Sequence, residues 1–63
     1  MMTIRIPDPI TVENLAEAIR QRPFRVVADL MELGQMKFEG DPVDFEAASK
    51  VAKKYGFETK KQG

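Results

Sequence analysis

Ile10-Thr-Val-Glu-Asn-Leu-Ala-Glu-Ala-Ile-Arg-Gln-Arg-Pro-Phe-Arg-Val-Val-Ala-Asp-Leu-Met-Glu-Leu-Gly34 decides the fold of this chain. It reads as two short helices joined by a tight corner. Thr11 stands where an N-cap belongs, because its hydroxyl can accept a first-turn backbone N–H. Ile10 before it and Leu15 after it have the spacing of a hydrophobic staple. The first helix is expected from about Val12 to Arg20, with Val12, Leu15, Ala16 and Ile19 as its buried stripe. Pro23 fits the first position of a second helix, where its missing N–H costs nothing. That helix is expected to run to about Leu33, with Gly34 in the left-handed position that ends it. Phe24, Val27, Ala28 and Met31 form one stripe on it, and Val26, Leu30 and Leu33 an adjacent one. So wide an apolar surface predicts a helix covered on more than one side, at the centre of the core. Arg25, Asp29 and Glu32 remain for its outward face.

The flanks supply the other elements. Thr3 to Ile6 alternates polar and apolar, as a short strand does, and Pro7 and Pro9 end it. Gln35 to Phe38 alternates again and predicts a second strand with Met36 and Phe38 inward. Glu39, Gly40, Asp41 and Pro42 are turn residues. Asp44 then caps a third helix, about Phe45 to Tyr55, with Ala48, Val51, Ala52 and Tyr55 inward. Gly56 ends it, Phe57 to Thr59 is a third short strand, and 60–63 is a frayed tail. The expectation is one small α+β domain over 1–63, ordered from about 3 to 59. It has three helices and two or three very short strands in the order β-α-α-β-α-β.

At 63 residues the chain is near the lower size limit for folding unaided. It has no cysteine, so no disulfide supports the core. It also has no histidine, which removes the commonest general base and, with cysteine, the usual zinc ligands. The glycines are scattered and make no phosphate-cradling loop. Glu39, Asp41 and Asp44 lie close together, but their spacing is not that of a calcium loop. Ser49 has no partner base. No catalytic residue, cofactor or metal site is expected. An exposed aromatic could stack on an RNA base, but Phe24, Phe38, Tyr55 and Phe57 read as core residues instead, and only the facing of Phe45 is open. No apolar run approaches the roughly 20 residues of a membrane span, and no secretory signal opens the sequence. A cytoplasmic monomer with no membrane partner is the expectation.

The formal net charge of zero hides an asymmetry. Residues 1–48 carry five basic and nine acidic side chains, a balance of −4. Residues 49–63 set Lys50, Lys53, Lys54, Lys60 and Lys61 against Glu58, a balance of +4. These lysines are one candidate set for phosphate contact. Arg20, Arg22 and Arg25 at the helical corner are the second. The alternative for the lysines is ordinary: cations favour the last turn of a helix, opposite its dipole, and a charged tail is solvated.

The ordered words of the chain resemble one family. Ile10-Thr-Val-Glu-Asn-Leu-Ala, the Pro23 corner, Leu30-Met-Glu-Leu-Gly34, Asp44 with Ala47 and Ala48, and Gly56-Phe57 are similar to the N-terminal module of bacterial translation initiation factor 2. The likeness spans about residues 4 to 59. It departs at Phe38-Glu39-Gly40-Asp41, where the family usually has a Thr-(Ile/Leu)-Asn-Gln run. The resemblance implies a small α/β unit of three helices and short strands. It also implies a non-enzymatic accessory role in translation initiation, docking on the ribosome, with the small subunit, translation factors or RNA backbone as partners. Stem-contact modules of some aminoacyl-tRNA synthetases are similar too. The GTP-binding and initiator-tRNA domains of the factor have no counterpart in these residues, so their activities are not carried over. Whether the chain is a piece of such a factor or a stand-alone relative is left open.

Two other readings share the corner. A helix-turn-helix DNA regulator would use the second helix as its reading head. Asp29 and Glu32 on the presumed outward face oppose contact with phosphate-flanked DNA. A protein–protein adaptor would use that mixed face as its edge.

Overall fold

The computed structural model describes residues 1–63. The elements are β1 (Met2–Ile6), β2 (Ile10–Thr11), α1 (Val12–Ala18), α2 (Pro23–Glu32), β3 (Pro42–Val43), α3 (Phe45–Lys54) and β4 (Phe57–Lys61). The three-helix α+β class is as the sequence predicts, with four short strands in two small sheets.

The ends of the chain are joined first. β1 and β4 pair in parallel, from Met2 opposite Phe57 to Ile6 opposite Lys61. The Gln62 N–H donates to the Ile6 carbonyl at 2.8 Å, so the pairing runs past the expected tail boundary at 60. Ile4, Ile6, Phe57 and Thr59 are buried or half-buried, whereas Thr3, Arg5, Glu58 and Lys60 are exposed. This is the period-two alternation of a sheet covered on one face. The second sheet pairs Ile10 with Val43 and Thr11 with Pro42, antiparallel.

The expected strand at Gln35–Phe38 does not form. Met36 is 70% exposed and Phe38 65%. Backbone demand explains the difference. The loop turns tightly on Asp41, whose carboxylate accepts the Phe38 N–H at 2.8 Å. It then lays the Asp41 and Glu39 carbonyls on the Val12 and Glu13 N–H groups, at 3.1 and 3.0 Å. Those are first-turn donors of α1 that have no partner inside the helix. An inward strand at 35–38 would leave them unsatisfied. The pairing strand is instead Pro42–Val43.

Caps set the helix ends. The Asn14 N–H donates to Thr11 Oγ1 at 3.1 Å, and the Ala47 N–H to Asp44 Oδ1 at 2.8 Å. Asp8, on the cis Asp8–Pro9 peptide, accepts the Phe45 N–H at 3.1 Å. α1 stops at Ala18, two residues short of expectation, because Arg20 turns left-handed at φ 60. The Gln21 N–H then reaches the Ala16 carbonyl at 2.8 Å, and the Arg20 N–H reaches that of Glu17 at 3.2 Å. This is a Schellman closure. Gly34 closes α2 in the same way, at φ 83.

The core gathers 13 buried residues from β1, β2, β3 and all three helices. α1 gives Val12, Leu15 and Ala16, with Ile19 at its cap, and α3 gives Ala47, Ala48, Val51 and Ala52. The alanines let α3 approach closely in a domain too small for thick layers. α2 gives Val26 and Leu30. Of the other stripe assigned to the core, Phe24, Ala28 and Met31 are exposed and only Val27 packs against it, half-buried; Leu33, expected beside Val26 and Leu30, is exposed as well. α2 is thus covered on one side only.

Candidate nucleic-acid interface

The five C-terminal lysines do not gather. Lys54 Nζ is 2.6 Å from Asp29 Oδ1 and 3.6 Å from Glu32 Oε1, so it ties α3 to α2. Lys61 Nζ is 3.4 Å from Asp8 Oδ2 and stands over the Phe45 ring. Lys60 lies on the outer sheet face, opposite Arg5. Lys50 and Lys53 are exposed on α3, and Lys53 borders a shallow groove with Met1, Phe57 and Glu58. No carboxylate lies within 4.0 Å of Lys50, Lys53 or Lys60.

Asp29 overturns its expected place. It is only 5% exposed and belongs to the inner side of α2. Its carboxylate accepts from Lys54 Nζ and, at 2.5 Å, from the Tyr55 hydroxyl. Burial alone would raise its pKa. The hydrogen bonds from Lys54 and Tyr55, with the charges of Lys54 and Arg25, outweigh burial and hold it below the ordinary 3.8. The bond to Asp29 raises Lys54, and burial followed by the same carboxylate raises Tyr55. All three shifts describe one lock between α2 and α3 in which acid and base stay ionised and the phenol stays neutral.

The arginines do gather. Arg20, Gln21, Arg22, Phe24 and Arg25 line a single open concavity of about 580 Å3. Three local features put them there. The left-handed Arg20 reverses the chain, Pro23 starts α2 two residues after Gln21, and Arg25 falls in the first turn. No carboxylate lies within 4.0 Å of any of the three guanidiniums. Arginine stays charged at all ordinary pH and offers forked donors suited to phosphate or carboxylate.

The aromatics depart from expectation most. Tyr55 and Phe57 pack against the core, and so does Phe45, whose facing was open. Phe24 is 67% exposed, and with Phe38 it lines a second cavity of about 450 Å3. Val27, Glu39 and Gly40 complete that cavity. Phe24 therefore belongs to both cavities. Farther along, exposed Met31 and Met36 flank a third depression. This surface is not legible in the sequence, because the width of an apolar stripe does not say which part of it is buried. Lys37 between Met36 and Phe38 gives no warning, because an alternating strand places it on the outer face. Glu39, Asp41 and Asp44 do not converge, because Asp41 and Asp44 each accept a backbone N–H.

Fold and corner together define a class: small α+β modules in which a helical hairpin presents a charged corner. Residues 7–58 match the family model described as the N-terminal region of translation initiation factor IF-2. The chain belongs to that family. It is 41% identical over 54 residues to translation initiation factor IF-2 of Caldanaerobacter subterraneus subsp. tengcongensis, covering 86% of this chain and 8% of that one. It is 39% identical over 56 residues to the factor of Desulforamulus reducens, covering 89% and 6%. With the factor of Brucella ovis it shares 33% over 58 residues, covering 92% and 6%. The chain thus spans less than a tenth of the length of the curated relatives it matches. No helix is long and apolar enough to cross a membrane.

Proposed function

We propose that this chain is a non-enzymatic docking module of translation initiation, contacting RNA backbone on the ribosome through its helical corner. Family membership supports the process. The observation that carries the contact is the convergence of Arg20, Arg22 and Arg25 on one concavity with no carboxylate within 4.0 Å of them. A surface of this kind seeks polyanions, and ribosomal RNA offers phosphates at every residue. Lys50, Lys53 and Lys60 add unpaired charge elsewhere, whereas Lys54 and Lys61 are already engaged. A DNA-duplex reader is less well supported, because beyond Arg25 the exposed residues of α2 are the apolar Phe24, Ala28 and Met31 and the carboxylate of Glu32, which would face phosphate-flanked DNA.

The test is titration of the full chain onto small ribosomal subunits at about 50 and 200 mM salt. Binding is expected to weaken steeply between the two concentrations. Arg22→Gln with Arg25→Gln is expected to flatten that dependence more than Lys53→Gln with Lys60→Gln. Salt-insensitive binding would overturn the phosphate reading. Equal losses from both pairs would move the contact away from the corner.

A further inference from the structure

The corner holds an aromatic ring among its cations. Phe24 is largely exposed although it sits in the first turn of a well-packed helix. An exposed Phe is common singly and needs no account. Here it shares one concavity with three unpaired guanidiniums and Gln21, and it also forms a wall of a second cavity facing Phe38. Two of the four phenylalanines are thus left in water at adjoining sites, in a domain that has little apolar surface to spare.

We infer that the RNA bound at this corner is unpaired, with its phosphates on Arg20, Arg22 and Arg25 and a base stacked on Phe24. The inference rests on the phosphate reading above. The chemistry divides along the surface. The first cavity has cations and no carboxylate, which suits the sugar–phosphate chain. The second has two rings and Val27, with Glu39 as its only charged side chain. A carboxylate there repels phosphate and leaves the cavity to a base. A cationic track beside aromatic platforms is how proteins hold single strands, since every base has a π-face while a duplex hides its own in the stack. A strand crossing from one cavity to the other passes over Phe24, which both share. A duplex offers the corner phosphates alone. An acidic amphipathic helix would use the arginines and the apolar wall, but it would need no aromatic ring.

The experiment compares three probes on the full chain: a short oligouridine strand, an RNA duplex of equal length and an acidic amphipathic peptide. Phe24→Leu keeps an apolar side chain at an exposed position and removes the ring. Oligouridine is expected to bind more tightly than duplex. Phe24→Leu is expected to weaken the strand by about 5- to 150-fold, the value of one stacked base. It should leave the duplex unchanged. Arg22→Gln should reduce the salt slope for the strand by about 0.7, one phosphate contact. Equal affinity for strand and duplex, untouched by Phe24→Leu, overturns stacking and leaves the phosphate reading standing. Absence of salt-sensitive binding to either RNA overturns both. Capture of the peptide alone, lost in Arg22→Gln but retained in Phe24→Leu, overturns both in favour of a protein partner.

Discussion

The two sides of α2 carry similar apolar side chains and meet opposite fates. Val26 and Leu30 are buried without remainder, while Phe24, Ala28 and Met31, on the same helix, face water. Size does not separate them, for the larger Phe24 is on the wet side. Asp29 does. It sits beside Leu30 on the inner side, where Lys54 and Tyr55 reach it from the end of α3. Turning α2 to bury Phe24 and Met31 would carry Asp29 away from both partners. It would also expose Leu30, an even exchange in apolar area at best. A polar group with well-placed partners thus sets the rotation of a helix whose apolar residues allow more than one.

The largest way to break the comparison is on the inner side. Leu30→Ala is expected to lose about 2–5 kcal/mol, the range for truncating a buried leucine. In a domain this small that approaches the whole stability. Urea denaturation followed by circular dichroism measures it. A loss below about 1 kcal/mol would mean that Leu30 is not the anchor of α2.

Next comes the lock. Asp29→Ala is expected to cost about 1–3 kcal/mol, since it strips a charged acceptor from Lys54 and from the half-buried Tyr55 hydroxyl. The pH dependence has a definite sign. A carboxyl whose folded pKa lies below 3.8 stabilises fully above that value, and the contribution disappears as pH falls through the folded pKa. Lys54 and Tyr55, raised above 10.5 and 10.0, contribute fully below those values and lose it as pH rises past them. The stability difference between the wild type and Asp29→Ala should therefore be flat between about pH 5 and 9 and narrow at both extremes. A difference that peaks at low pH would place the acid elsewhere.

These contacts mark where sequence reading stops. The caps at Thr11 and Asp44, the left-handed glycines Gly34 and Gly56, and the α1 stripe were legible because each depends on near neighbours in the chain. The two stripes of α2 were both visible, but choosing between them needs Asp29 and Tyr55, which are 26 residues apart. The Gln35–Phe38 strand failed for a similar reason. Its alternation is real, and the demand that moves the strand to Pro42–Val43 comes from the N–H groups of α1. At the candidate site the basic residues were legible as types. The pairing of Lys54 and Lys61, which leaves the other three lysines and the arginines free, was not, because it rests on contacts as distant as Asp8 with Lys61. The identity of the family was readable, since it resides in the order of short local words.

A smaller effect tests the corner itself. Arg20 takes, at φ 60, the position that Gly34 and Gly56 hold at the ends of α2 and α3. The left-handed form costs an L-residue about 1–2 kcal/mol, and glycine gives back about 0.5–1 through its freer unfolded chain. Arg20→Gly should therefore raise stability slightly, by about 0.5 kcal/mol, while weakening RNA binding. A guanidinium kept in a strained conformation where glycine would fit better is consistent with a role outside folding. Destabilisation by more than about 1 kcal/mol would show instead that the side chain holds the corner together.

The smallest expected effect is on the outer side. Met31→Gln replaces an exposed apolar side chain with a polar one of similar length. Surface changes of this kind usually stay within about 0.5 kcal/mol. Thermal unfolding should place the variant beside the wild type at any protein concentration. The comparison of the two sides depends on that near-zero value. If Met31→Gln cost as much as Asp29→Ala, and the cost grew with protein concentration, the outer side would be covered in solution by a second copy. Phe24 and the arginine concavity beside it would then be shared with that interface. RNA would have to displace the partner to reach them, and its binding would weaken as protein concentration rose. A dilution series of the wild type, with and without oligouridine, separates that competition from a corner open to RNA.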